Sequence, residues 1–151
     1  MYPLLLAVHS LLRWAVLAAG GAAFLRAAMA GNRVWSPADD RAGLWFVVAM
    51  DLQFLLGLLL YLWVSPITRV AFADFGGAMG NALLRFWAVE HLIGMLIAIA
   101  LVHIGRVRIR KADTPRRRRL ALIFYGLALV AIVASIPWPG TPAERPLLRP
   151  F

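Results

Sequence analysis

The sequence contains no cysteine among its 151 residues, so disulfides, iron–sulfur clusters and thiol nucleophiles are excluded. Charged residues are also scarce: they make up 15% of the chain, whereas a soluble domain usually has about a quarter. Hydrophobic residues make up 62%. This composition argues against a soluble globular enzyme and against a disordered chain, which has the opposite bias. The length fits one domain.

Four long apolar stretches are present, each long enough to cross about 30 Å of hydrocarbon as a helix. They cover about residues 4–28, 44–64, 84–104 and 120–136. Because strand-like alternation is absent, the sequence predicts an all-α integral membrane four-helix bundle, a single domain over 1–151. His9 and Arg13 interrupt the first stretch and no basic segment precedes it, so we expect a true span rather than a signal peptide. A proline-rich tail, 137–151, is expected to extend over the outer face or onto a partner, and the longest outer loop, 65–83, is expected to form an interfacial helix or a lid.

Basic residues are distributed unevenly between the predicted loops, and this sets the expected orientation. The 106–119 loop between spans three and four has eight basic residues and one acid, Asp113. The positive-inside rule makes this loop cytoplasmic, which puts 11 basic residues inside and 4 outside. We therefore expect a multi-pass protein of the inner (plasma) membrane with both termini on the non-cytoplasmic side. The arginine run is interpreted as an anchor for anionic lipid headgroups and not as a nucleic-acid site.

Ionisable side chains inside a membrane span are unfavourable, so each one marks a candidate site. Span one has His9 and Arg13, span two has Asp51, and span three has Glu90, His91 and His103. At 1.5 Å per residue, His9 lies about 8 Å and His91 about 10 Å below the outer surface. Because spans one and three run in the same direction, we expect these two imidazoles to meet. Asp51 and His103 fall in the inner half, where they form a second, looser polar pair.

Two neutral histidines that face each other inside a bundle can ligate a haem iron axially. The sequence therefore predicts one haem b on the outer side, with His9 and His91 as its metal ligands. A bound ring needs space, and the small residue Gly94, which follows His91 closely, is expected to provide it.

Charged residues near the two histidines complete the predicted cofactor site. Haem propionates require cations near the outer surface, and Arg85 and Arg69 are the candidates. Arg13 lies one helical turn from His9 on the same face. Glu90 is expected to form a buried ion pair with Arg13 beside the site.

The segments around these histidines resemble a known family. His9-Ser10-Leu11-Leu12-Arg13-Trp14 is similar to the ligand-plus-tryptophan opening of small four-helix membrane b-type cytochromes, a group that includes the superoxide-oxidase and ascorbate-reducible types. Glu90-His91-Leu92-Ile93-Gly94 and Leu101-Val102-His103-Ile104-Gly105-Arg106 look like their two-histidine helix with its basic end. The resemblance implies His9 and His91 as haem ligands.

The sequence departs from that family in its histidines. Two-haem members place two histidines on each of two helices, whereas this chain has three in all. His91 and His103 are 12 residues apart, which separates them by about 120° around a helix. At most one haem is therefore expected, and the role of His103 stays open.

The first functional hypothesis is a membrane cytochrome that carries one electron between a donor such as quinol and an acceptor at the outer face, with a bound quinone as a further candidate. A second is a non-catalytic accessory or assembly subunit of a larger membrane complex, or a homodimer, in which the histidines only join helices. A third is copper handling or transport by His9, His91, Met79 and Met95.

Overall fold

The computed structural model describes residues 1–147, which contain helices and no strand. The predicted all-α class is therefore confirmed for this part of the chain. The helices are α1 (Tyr2–Ala28), α2 (Pro37–Leu59), α3 (Pro66–Ala73), α4 (Phe75–Gly80), α5 (Ala82–Arg85), α6 (His91–Lys111) and α7 (Thr114–Ala134). One π-helical turn, Leu60–Val64, extends α2, and another, Phe86–Glu90, joins α5 to α6.

The four long helices, α1, α2, α6 and α7, pack side by side with alternating directions. At one end, Arg118 near the start of α7 donates to the carbonyl oxygen of Ala27 at the end of α1, over 3.0 Å. At the same end, Arg106 of α6 pairs with Asp40 of α2 at 3.1 Å. We call this the basic end. Since α1 and α6 finish here and α2 and α7 begin here, the arrangement is an up-and-down bundle.

The connection between α1 and α2 is fixed at the basic end by Asp39. This carboxylate accepts from Arg26 at 2.9 Å and from Arg33 at 2.7 Å. It also accepts from the backbone N–H and the hydroxyl of Ser36, both at 2.8 Å. A serine followed three residues later by an acid is a capping box, which stabilises the first turn of a helix. Pro37 occupies the first helical position, where its missing N–H has no consequence.

The core forms where large side chains of one helix meet small residues of another. Phe46 of α2 and Tyr125 of α7 are fully buried and pack edge to face, with ring centroids 5.5 Å apart. A Cβ added to Gly20 of α1 would lie 2.7 Å from the Phe46 ring and 2.9 Å from Leu129. Glycine at this position therefore lets α1 approach both α2 and α7.

Three helices are long and apolar enough to cross a membrane: Tyr2–Ala28, Pro37–Val64 and Ala82–Lys111. Helix α7 packs in the same bundle, but its first turns contain the arginines 116–119. Its uncharged helical part, 120–134, is about 22 Å long at 1.5 Å per residue, shorter than the hydrocarbon core. The fourth crossing therefore stays a prediction.

The segment after α2 folds back over the end of the bundle opposite the basic end, which we call the histidine end. The sequence predicts an interfacial helix or lid over 65–83, and the structure has the three short helices α3, α4 and α5 there. They pack through Ala71 and Ala78 against Ala88, which are all buried. Tyr61 lies in the π-helical turn that follows α2, and Ala88 lies in the one that precedes α6. The Tyr61 hydroxyl donates to the carbonyl oxygen of Ala88 at 2.7 Å and so joins the two turns.

Neighbouring glycines of α1 provide a test of this packing. We expect Gly20→Ala to lower the free energy of unfolding by about 1–3 kcal/mol, because the new methyl group overlaps the buried Phe46 ring. Gly21→Ala is the matched control: nothing lies within 4 Å of its added Cβ, and alanine favours the helix. Thermal unfolding of both variants in detergent measures the difference, and equal effects would contradict this packing.

Candidate functional site

His9 of α1 and His91 of α6 meet inside the histidine end of the bundle. Their ring centroids are 6.4 Å apart, and the ring planes are inclined by 72°. This is the meeting that the depth calculation predicts for two spans of the same direction. The rings approach edge to face, as the packed Phe46 and Tyr125 rings do.

A hydrogen bond to α7 fixes the ring of His91. Its Nδ1 lies 2.8 Å from the carbonyl oxygen of Ser135. Because a carbonyl oxygen only accepts, Nδ1 must carry the hydrogen, and in the neutral ring Nε2 then has a free lone pair. Trp87 and Phe86 pack beside the ring, with centroid distances of 5.3 and 5.9 Å. His91 is thus held in the tautomer and the orientation that a metal ligand needs.

Gly94 makes this hydrogen bond possible. A Cβ at Gly94 would overlap the side chain of Ser135, so only glycine lets the end of α7 come this close to α6. The Ser135 hydroxyl turns back to the carbonyl oxygen of Ala131, at 2.8 Å. The prediction that Gly94 makes room for a cofactor ring was wrong, because the end of α7 occupies that space.

Gln53 of α2 binds His9 from the other side. Its amide nitrogen lies 3.2 Å from His9 Nε2 and 3.1 Å from the carbonyl oxygen of His9, so its two hydrogens satisfy both acceptors. His9 Nδ1 is buried and has no hydrogen-bond partner among residues 1–147. Gly57, one turn further along α2, leaves space for the ring, since a Cβ there would be 3.0 Å from His9 Cε1.

A cavity of about 110 Å³ extends from the two histidines towards the surface. Val16, Met50 and Met95 are among its apolar lining residues, and Arg13 and Arg145 contribute the cationic groups. Typical small-molecule pockets enclose roughly 300–1,000 Å³. The cavity is therefore smaller than a typical ligand pocket, and a haem ring would fit only if the helices around it separated.

Arg13 and Arg145 connect this cavity to the chain after α7. Arg13 is buried and donates to the carbonyl oxygen of Leu147 at 2.7 Å. Trp14 donates to the same oxygen at 3.1 Å. The guanidinium of Arg145 lies 5.2 Å above the Trp87 ring, close enough for a cation–π contact. The tail up to Leu147 thus covers the histidine end, while residues 148–151 lie outside the described part.

Three charged residues that the sequence assigned to the site lie elsewhere. Arg85 pairs with Glu90 at 2.7 Å and also donates to the carbonyl oxygen of Met79 at 3.0 Å. Arg69 donates to the carbonyl oxygen of Trp63. The predicted Arg13–Glu90 ion pair was wrong: the π-helical turn Phe86–Glu90 has the i to i+5 repeat that brings Glu90 back over Arg85. None of the three lines the cavity.

Asp51 and His103 form the second polar pair that the sequence predicts, but it belongs to a different surface. His103 Nε2 lies 2.7 Å from Asp51 Oδ1. Both side chains are well exposed on the outside of the bundle and do not contact the cavity. The two histidines of α6 therefore point to different environments, as their 12-residue spacing requires.

Sequence reasoning missed Gln53, Ser135 and Arg145 because it searched for ionisable groups inside predicted spans. An uncharged amide in the middle of an otherwise apolar span was a usable signal for Gln53. The Ser135 contact depends on a backbone oxygen, which has no sequence signature. Arg145 was counted only among the four basic residues of the outer side. The hydrophobic periodicity of the sequence does not indicate where the tail after α7 folds back onto the bundle.

Clusters of three or more potential metal-ligating side chains (His, Cys, Asp or Glu) are absent from residues 1–147. A haem needs only two protein ligands, whereas the copper hypothesis needs methionines near the histidines. Met95 lines the cavity, but Met79 packs in the separate cluster of Ala71, Ala78 and Ala88. Met79 therefore lies apart from His9, His91 and Met95, and these four side chains do not form one site.

Comparison of the chain with models of known protein families, with curated proteins and with solved structures finds no match.

Loss of the Gln53 amide tests its role in positioning His9. We expect Gln53→Leu to lower the free energy of unfolding by about 1–3 kcal/mol, because a buried ring nitrogen and a buried carbonyl oxygen both lose their donor. The control is Leu52→Ala, next in sequence but 50% exposed on the outer surface. Thermal unfolding in detergent compares them, and an unchanged Gln53→Leu protein would contradict this assignment.

Proposed function

We propose that this protein is a membrane b-type cytochrome that binds one haem b between His9 and His91. It carries single electrons between a membrane donor such as quinol and an acceptor at the outer face. The observation that supports this proposal most directly is the placement of two half-buried imidazoles from different helices 6.4 Å apart, one of them held with its Nε2 lone pair free.

The two rings are placed so that both could hold one metal ion. Their centroids are 6.4 Å apart, and His91 has a free lone pair on Nε2. Metal–imidazole nitrogen bonds are about 2 Å long, so His9 and His91 could both reach an ion between them. The same separation also lies within the range of about 4.5–7 Å for edge-to-face ring contacts, so the substitutions below, and not the distance alone, test the proposal.

The residues around the pair have separate roles in this proposal. The Ser135 carbonyl orients His91 and raises the basicity of its other nitrogen, as outer partners of metal-bound histidines do. While the Gln53 amide donates to His9 Nε2, the neutral His9 ring carries its hydrogen on Nδ1 and has no free lone pair, so His9 could hold a metal only if this amide moved away from Nε2. Arg13 and Arg145, and not Arg69 or Arg85, are the cations placed to bind carboxylates at the cavity. The haem itself supplies the one-electron couple.

Substitution of each histidine tests the proposal. We expect His9→Ala and His91→Ala to abolish the b-type reduced-minus-oxidised spectrum of the purified protein, and His91→Ala also to lower its thermal stability markedly. His103→Ala is the control, because this third histidine lies outside the cavity and its loss leaves the spectrum intact.

A wild-type protein that is colourless, iron-free and unchanged by dithionite would overturn the proposal. A colourless protein that co-purifies with a larger complex and tolerates both substitutions would instead favour an accessory subunit.

We further propose that all four long helices cross the inner membrane, with the basic end in the cytoplasm and both termini outside. The support is the charge distribution: the loop between α1 and α2 and the 106–119 loop, which carry most of the basic residues, lie together at the basic end. The histidine end, with the cavity, then faces outwards. Helix α7 spans with its short apolar part because its arginines reach the headgroup region.

Single cysteines test this topology cleanly, since the chain has none of its own. We expect a membrane-impermeant maleimide to label Thr141→Cys in intact spheroplasts, and to label Asn32→Cys and Asp113→Cys only after permeabilisation. If α7 does not cross, Thr141→Cys and Asp113→Cys will be labelled from the same side. That result would leave three spans and place the tail with the basic loop.

A further inference from the structure

The Asp51–His103 pair lies on the outer surface where α2 meets α6. The Asp51 side chain is 41% exposed and the His103 side chain 49%. Apolar side chains surround the pair on both helices: Leu52 and Leu55 are 50% and 62% exposed on α2, and Val107 is 52% exposed on α6. We call the surface formed by these five residues the Asp51 face.

This face is unsuited to contact with lipid alone. Asp51 lies 14 residues from the start of its 28-residue apolar helix, near the helix centre and away from the headgroups. Ionisable residues within membrane segments almost always face a bundle interior, a water-filled cavity or another polar group. The other polar side chains of the span interiors, Arg13 and Gln53, are indeed buried at the cavity. Arg85 and Glu90 are also exposed, but they lie near the start of their span and close to the headgroups. Asp51 is exposed near the centre of its span, so another protein surface is needed to cover its pair with His103.

The pair has hydrogen-bonding capacity to spare. Asp51 uses Oδ1 and His103 uses Nε2 in their mutual bond. Within residues 1–147 the structure gives Asp51 Oδ2 and His103 Nδ1 no further partner. Because a carboxylate oxygen accepts, His103 Nε2 carries the hydrogen of their mutual bond, so His103 Nδ1 is a second donor when the ring is protonated against the Asp51 carboxylate, while Asp51 Oδ2 is an acceptor.

An acceptor beside a donor makes the face complementary to itself. When a two-fold axis in the bilayer relates two copies, every contact from a residue of the first copy to a residue of the second is repeated in the opposite direction. Asp51 of each copy then accepts a hydrogen bond from His103 of the other copy, which gives two such bonds. Leu52 and Leu55 of both copies surround the two bonds. A partner with a surplus of one charge matches this balanced pair less well.

We propose that the Asp51 face is the interface of a homodimer of this chain in the membrane, centred on reciprocal Asp51–His103 hydrogen bonds. This proposal depends on the placement of α2 and α6 in the membrane and not on the haem.

Cysteine cross-linking in native membranes tests the interface. Leu55→Cys lies one turn from Asp51 on the same helix face, and with no other cysteine present any disulfide dimer must form across that face. We expect mild oxidant to convert Leu55→Cys to a covalent dimer. The matched control is Val130→Cys on α7, which is 66% exposed but lies away from the Asp51 face, and we expect it to stay monomeric. Equal cross-linking at both positions would overturn the proposal.

A second variant separates the polar contact from the apolar one. Asp51→Leu/His103→Leu keeps the face apolar and leaves no ionisable group that needs a partner. We expect it to remain folded, by circular dichroism and monodisperse chromatography, while dimerisation in lipid nanodiscs or dilute vesicles weakens about tenfold, because interhelical hydrogen bonds contribute modestly in membranes. A folded double variant that dimerises as tightly as the wild type, or a wild-type protein that is monomeric in bilayers, would also overturn the proposal.

Discussion

The hydrogen bond from His91 Nδ1 to the Ser135 carbonyl oxygen is the contact on which the histidine end depends. It joins α6 to the last turn of α7, and it requires Gly94 because any larger residue would push the two helices apart. In an apolar interior such a bond is well defined, since no water competes for either partner. The same bond selects the tautomer of the ring, so helix packing and the chemistry of the histidine are set by one contact.

Polar groups are divided between the two ends of the bundle according to what they do. At the basic end, Asp39 and Arg118 close the helix termini, and their partners are mostly backbone atoms or opposite charges. At the histidine end, the polar groups line a cavity, and several of their atoms, including His9 Nδ1 and Arg13 Nε, are buried without partners in the described chain. Buried unpaired groups are costly and are concentrated where a protein binds something. Among the described residues, four of the six such atoms belong to His9, Arg13, Gln53 and Trp87 at the histidine end, while the other two, in Trp35 and Tyr125, lie towards the basic end.

The sequence predicted the features that depend on one helix at a time. Hydropathy located α1, α2 and α6, and the rise per residue was sufficient to bring His9 and His91 together. Features that depend on how helices end or return were not predictable in this way. A π-helical turn redirected Glu90 to Arg85, and the path of the tail brought Arg145 to Trp87. Whether α7 crosses the membrane stays a prediction for a related reason. The distribution of basic residues favours a crossing, whereas the apolar part of α7 is shorter than the hydrocarbon core.

The position of Arg145 and Leu147 in the chain has a consequence for how the molecule is made. Both follow all four long helices, yet one lines the cavity and the other holds Arg13 and Trp14 at its rim. Since the chain is synthesised from its N-terminus, the segment that covers the cavity is made only after all four long helices.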